Sequence, residues 1–150
     1  MIATGVNEEG YREILGIILG DSESEASWAE FFSWLKQRDL RGVDVVVSDI
    51  HSGLVKALHS QFQRATWQRC LTNFMRNFMD ATPKHLRAEL YGKVCAILDA
   101  PDVATARLLM NKVVSNYGEK APKTIQTLEN GFDDITAVLV QSVTESVCAP

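Results

Sequence analysis

An α/β core followed by a wholly helical segment is the fold class the sequence predicts, and three observations predict it. Short β-rich runs alternate with helix-period apolar patterns up to residue 70. From Cys70 onward only the helical period persists, in four successive stripes. Pro83, Pro101 and Pro122 fall at the junctions between those stripes, where a missing N–H costs least.

Residues 2–6 and 11–19 flank N-E-E-G, a turn signal with Gly10 able to take positive φ, and so predict a β-hairpin. Ser22 and Glu25 have the spacing of a helix capping box. Trp28, Phe31, Phe32 and Leu35 follow at i, i+3, i+4, i+7 and give that helix one apolar face. Gly42 closes the next connection. Residues 43–47, interrupted only by Asp44, fit a buried strand flanked by helices, and Asp49 sits just past its end. Leu54, Leu58 and Phe62 predict a short helix over 53–62, and residues 65–68 read as one more short strand.

The helical half is read the same way. Leu71, Phe74, Met75, Phe78 and Met79 form one stripe; Leu86, Leu90, Val94 and Ile97 form a second. Val103, Met110, Val113 and Tyr117 form a third, with Gly118 as its expected C-terminal cap. Pro122 suits the first turn of a fourth helix carrying Ile125, Leu128, Phe132, Ile135 and Leu139. These stripes read as a helical core. The order β-β-α-β-α-β is that of a ribonuclease H-like fold entered one strand late, and other α/β domains share it.

Composition narrows the functional classes. The chain has 150 residues, of which 46% are hydrophobic and 23% charged, enough apolar surface for one compact domain or a small domain with a subdomain attached. No apolar run approaches the roughly 20 residues of a membrane-spanning helix, and the start has no signal-peptide pattern. A cytoplasmic protein with no membrane partner is expected. Cys70, Cys95 and Cys148 contain no C-x-x-C pair, so neither a zinc nor a redox motif is present. The net charge of −4 argues against a protein that grips nucleic acid along its whole length. Residues 51–95 are nevertheless basic, with Lys56, Arg64, Arg69, Arg76, Lys84, Arg87 and Lys93 against Asp80 and Glu89. Such a run is either a local phosphate-facing patch or a solvated helix surface.

The residues that carry chemistry lie in V-V-V-S-D-I-H-S-G-L (45–54) and W-Q-R-C-L-T-N-F-M-R-N (67–77). Ligands of open α/β sheets sit beyond the carboxyl ends of the strands, where Asp49 stands. A carboxylate there, beside a glycine-containing turn, is a natural ligand for magnesium, and His51 is placed to orient a phosphate or tune the aspartate. The competing reading is that Asp49 or Ser48 caps the following helix. The residues alone leave both open.

S-D-I-H-S-G-L-V-K-A followed by W-Q-R-C and F-M-R-N resembles the centre of the Mutator-type transposases of bacterial insertion sequences. A-T-G-V-N-E-E-G-Y-R-E-I-L-G-I and G-D-S-E-S-E-A-S-W resemble the stretch between that family's first and second catalytic acids, so the likeness runs from about residue 3 to residue 139. The resemblance implies DNA cleavage and joining by a DDE triad that holds Mg2+ or Mn2+ in a ribonuclease H-like domain with a helical insertion. It makes Asp49 the second triad acid and a metal ligand, with Trp67 beside the active site or in the core. The family's C-x-x-H signature falls on Cys70 and Asn73, so the histidine's contribution is not carried over. Arg64, Arg69, Arg76, Lys84 and Arg87 become the candidate DNA contacts.

The same resemblance implies a truncated ribonuclease H-like core lacking its first strand over 1–70, a helical insertion over 71–139, and an atypical tail over 140–150. That tail has no apolar stripe and reads as an out-of-frame continuation of the family's basic segment. The first triad acid is expected before Met1 and the third beyond Pro150; Asp21, Asp44 and Glu145 do not stand in the family's contexts for them. The expectation is therefore a fragment inactive and poorly stable alone, binding tightly no metal of its own. The alternative is a non-catalytic module that binds DNA or full-length transposase as an inhibitor.

Overall fold

The computed structural model describes residues 1–20 and 23–141. Asp21 and Ser22, and with them the expected capping box, lie outside the described residues, as do Glu145, Cys148 and most of the expected tail. The element order is β1 (Ile2–Val6), β2 (Arg12–Ile17), α1 (Glu25–Gln37), β3 (Val45–Ser48), α2 (Ser52–Gln61), β4 (Thr66–Arg69), α3 (Leu71–Ala81), α4 (Arg87–Leu98), α5 (Val103–Tyr117) and α6 (Pro122–Ile135). Short 3-10 segments precede α4 and follow α6. This is the α/β order expected from the periodicities, with four helices after β4.

The chain divides into two compact units, residues 1–46 with 50–65, and residues 47–49 with 66–150. Described residues form two separate two-stranded sheets, β1 with β2 and β3 with β4.

In the first unit, the hairpin turns through Gly10 at φ +83, where a side chain would be strained. The Asn7 carboxamide accepts from the backbone of Glu9 and Tyr11, an Asx-type bond that closes the loop. Ala3 faces Gly16 and Thr4 faces Ile14, so Leu15 is an extra residue, a β-bulge. The bulge places Ile14 and Ile17 on the same face as Ile2 and Val6, and all four are more than half exposed. Gly16 permits the close approach of α1, because a Cβ there would meet Trp34 at 2.3 Å.

Helix α1 is capped by Ser24, whose hydroxyl accepts from the Ser27 N–H, so the cap lies two residues after the expected Ser22. Its apolar face is the expected one: Trp28, Phe31, Phe32 and Leu35 are all buried. Gly53 lies in the first turn of α2, at the start of the helix expected over 53–62. Its missing side chain lets α2 pack on the start of α1, since a Cβ would come within 2.8 Å of the Glu25 backbone nitrogen. Gly53→Ala is therefore expected to destabilise this unit by about 1–3 kcal/mol, because backbone cannot move aside as a side-chain end can. Chemical denaturation of the variant followed by tryptophan fluorescence checks this, and an unchanged midpoint would contradict it.

The second unit has its own core: Phe74, Phe78, Leu90, Val94, Ile97, Leu128 and Phe132 are at most 1% exposed and belong to one cluster. The stripes predicted from Phe74 to Ile135 supply it. Gly118 does stand at the end of α5, yet with φ −52, so it ends the helix without the left-handed turn that its identity suggested. Asp102 caps α5, its carboxylate accepting from the Thr105 N–H at 2.7 Å. Bonds from the Thr105 and Ala104 backbone hold that carboxyl below its ordinary pKa. A depressed carboxylate pKa stabilises the fold above the unfolded value and loses that effect as pH falls through the folded value. Thr105 amide exchange is thus expected to quicken as pH drops below the usual carboxylate range, after correction for intrinsic exchange. In Asp102→Asn, which keeps an acceptor without titrating, this pH response should vanish.

No described helix is long and apolar enough to cross a membrane.

Candidate functional site

Strand β3 ends at Ser48, and Asp49 follows it with an exposed side chain. Among the described residues no hydrogen bond or ion pair involves the Asp49 carboxylate, and the cap of α2 is His51. The imidazole Nδ1 accepts from the Leu54 N–H at 3.3 Å, and Nε2 lies 4.0 Å from the Glu23 carboxylate. Nδ1 can accept only when unprotonated, which assigns the ring proton to Nε2, facing Glu23. The reading of Asp49 or Ser48 as the cap is thus corrected. The helix begins at Ser52, two residues too late for Asp49 to be its N-cap, and His51 occupies the capping position instead.

Ser48 has a different task. Its hydroxyl donates to the Asp49 carbonyl at 2.9 Å and accepts from the Trp67 indole N–H, also at 2.9 Å. Its own carbonyl accepts from the Cys70 N–H at 2.7 Å. Trp67 is half-buried, so its ring packs while its nitrogen stays engaged.

Gln68, unremarked in the sequence reading beyond its motif, is the most connected side chain of this region. It is 3% exposed. Its amide donates to the carbonyls of Arg69 and Ile135, and its oxygen accepts from the Val138 N–H. One amide thereby ties β4 to the end of α6, satisfying backbone groups that helix termination leaves open.

Cys70 is a free, half-buried cysteine at the N-cap position of α3, and its side chain makes no capping bond. Asn73 accepts from Asn77 one turn later at 3.3 Å. That bond runs along the surface of α3 and ties neither residue to Asp49.

Of the cations singled out, Arg69 is not a surface residue. It is 7% exposed, its guanidinium lies 5.2 Å from the Phe74 ring centroid, and its Nε has no hydrogen-bond partner among the described residues. It is placed for packing rather than for phosphate contact, because its guanidinium stacks on Phe74 instead of facing water. Its charge still opposes the effect of burial on Asp134, whose carboxyl is raised above its ordinary pKa mainly by desolvation. Arg76, Lys84 and Arg87 are exposed in the second unit, and Arg64 is exposed in the first. The Arg87 Nε also donates to the Thr82 carbonyl.

Among the described residues no group of three or more His, Cys, Asp or Glu could hold a metal ion. A single exposed carboxylate is a suitable hard donor, but a magnesium ion takes six oxygens in near-octahedral order. Among the described residues no other carboxylate, histidine or cysteine joins Asp49 to complete such a shell.

The profile of the family described as "Transposase, Mutator family" matches residues 1–146. The chain is similar to the transposase for insertion sequence element IS256 in transposon Tn4001 of Staphylococcus aureus, 37% identical over 142 residues that make up 93% of this chain and 36% of that protein. It is also similar to the transposase for insertion sequence element IS1081 of Mycobacterium tuberculosis, 40% identical over 137 residues, 91% of this chain and 33% of the relative. The transposase for insertion sequence element ISRM5 of Rhizobium meliloti is 32% identical over 133 residues, 89% of this chain and 33% of the relative. The chain therefore spans about a third of the length of these curated relatives.

Proposed function

The chain belongs to the Mutator family of transposases, and from that premise we propose that it supplies one acid, Asp49, to the DNA strand-cleavage and transfer site of an insertion-element transposase. The observation that carries this reading is the state of Asp49. It stands at the carboxyl end of β3, exposed, with the capping of α2 taken over by His51. A carboxylate at a strand end with no structural bond of its own is available for a ligand.

In this reading β1 to β4 are strands of a ribonuclease H-like core and α3 to α6 are its helical insertion, a reading supported by the element order. Asp49 is one of three acids that hold Mg2+ or Mn2+ in the complete enzyme, the other two lying outside this chain. Of the described residues Asp49 alone would help hold such ions, and the chemistry they would supply in the complete enzyme is Lewis-acid activation. Contact with the element's DNA ends falls to exposed cations, of which Arg76, Lys84 and Arg87 are the candidates in the second unit.

The test is strand cleavage at an element end by a full-length transposase carrying this segment, with Asp49→Asn beside it. Loss of cleavage with retained DNA binding supports the assignment, and retained cleavage overturns it. A second reading, a non-catalytic module that binds DNA and inhibits the intact enzyme, draws on the same exposed cations. It predicts salt-sensitive DNA binding by the chain alone, indifferent to Asp49→Asn.

A further inference from the structure

We propose that Trp67 and Ser48 are positioning residues for Asp49, acting as a two-bond relay that fixes the backbone from which its carboxylate projects. This rests on the strand-cleavage reading of Asp49. The geometry is directional. An indole nitrogen is a donor only, so the Ser48 hydroxyl must accept from Trp67. Its single proton is then directed onto the Asp49 carbonyl, 2.9 Å away. The hydroxyl cannot rotate without breaking one of the two bonds.

A third bond holds the other side of the same residue, where the Cys70 N–H meets the Ser48 carbonyl at 2.7 Å. The peptide groups before and after Asp49 are thus both tied to the β4–α3 junction, through W-Q-R-C. Asp49 retains freedom in its side-chain torsions, and its backbone does not drift. That matters because a metal-ligating carboxylate works only within roughly 0.5 Å of its productive position. The neighbouring bonds polarise one another, so losing either end weakens the other. The relay also accounts for a tryptophan that is only half-buried, since a purely packing role would not require its nitrogen to meet a strand-end serine.

Two measurements test the relay. In this chain, the Trp67 indole N–H is expected to exchange with solvent severalfold faster in Ser48→Ala than in the parent, and to remain slow in Ser48→Thr, which keeps the hydroxyl. In a full-length transposase carrying the segment, Ser48→Ala and Trp67→Phe should each lower the cleavage rate about 10- to 100-fold, the range for groups that support a metal ligand. DNA affinity should not move. The double variant should be no slower than the worse single one, because both break one chain, and Ser48→Thr should restore most of the rate. Multiplicative losses, no rescue by a folded Ser48→Thr, or indole exchange indifferent to Ser48→Ala would overturn the proposal. Asp49→Asn separates the two levels: if it cleaves normally, the catalytic reading fails, while indole exchange still decides whether the relay exists.

Discussion

Asp49→Asn, in a full-length transposase carrying this segment, is expected to lower strand cleavage by about a thousandfold or more with DNA affinity within a few-fold of the parent. The substitution is nearly isosteric and removes the charge and one of two hard oxygens. A metal-supported step draws several kilocalories per mole from its ligands, and about 4 kcal/mol corresponds to roughly a thousandfold in rate. Folding should be little affected, because the side chain is exposed and does not cap α2. Single-turnover cleavage beside a binding isotherm makes the distinction. A variant that melts normally and cleaves at the parental rate would remove Asp49 from the chemistry.

Phe74→Ala is expected to cost the second unit about 3–5 kcal/mol, the range for emptying a fully buried phenylalanine site. Phe74 is completely inaccessible and stacks with Phe78 at a centroid distance of 6.0 Å. It also forms the face on which Arg69 rests and the surface that Gly131 approaches, where a Cβ would meet the ring at 2.7 Å. Truncation therefore opens a cavity and uncovers one side of a buried cation, two losses that need not add. Amide exchange in α3 and α6 reads the unit locally, independently of the hairpin and α1. A loss below about 1 kcal/mol would mean that the core collapses into the space.

Much of the architecture was legible because apolar periodicity reports directly on which face of an element is covered. Trp28, Phe31, Phe32 and Leu35 mark α1 at helical spacing, and every one is buried. The cap of that helix shifted from Ser22 to Ser24 because several residues of one short polar run can cap, and the run S-E-S-E offers two serines. Gly53 was harder to read: a glycine after S-D-I-H suits a turn as well as a close helix contact. Only the position of α1 tells them apart.

Arg69 shows the same limit for charge. In the sequence it is one of several cations in a basic stretch, and nothing in its spacing separates it from Arg76 or Arg87. Its burial follows from Phe74, five residues on, and from the approach of Gly131, far away in sequence.

By itself, the sequence determined the element order, the apolar faces of the helices, the place of Asp49 at a strand end, and the motifs that mark the Mutator family; the strand expected to be buried over 43–47 is only half-covered, with Val47 exposed. What it determined is local, set by side-chain type at fixed spacing along one element. Tertiary structure alone decided where the polar atoms find partners: His51 rather than Asp49 on α2, Trp67 on Ser48 across 19 residues, and Gln68 on Ile135 across 67. A hydrogen bond needs its two atoms within about 3 Å of each other and aligned. Periodicity shows that a polar group sits near a core; only the packed chain brings its partner within reach.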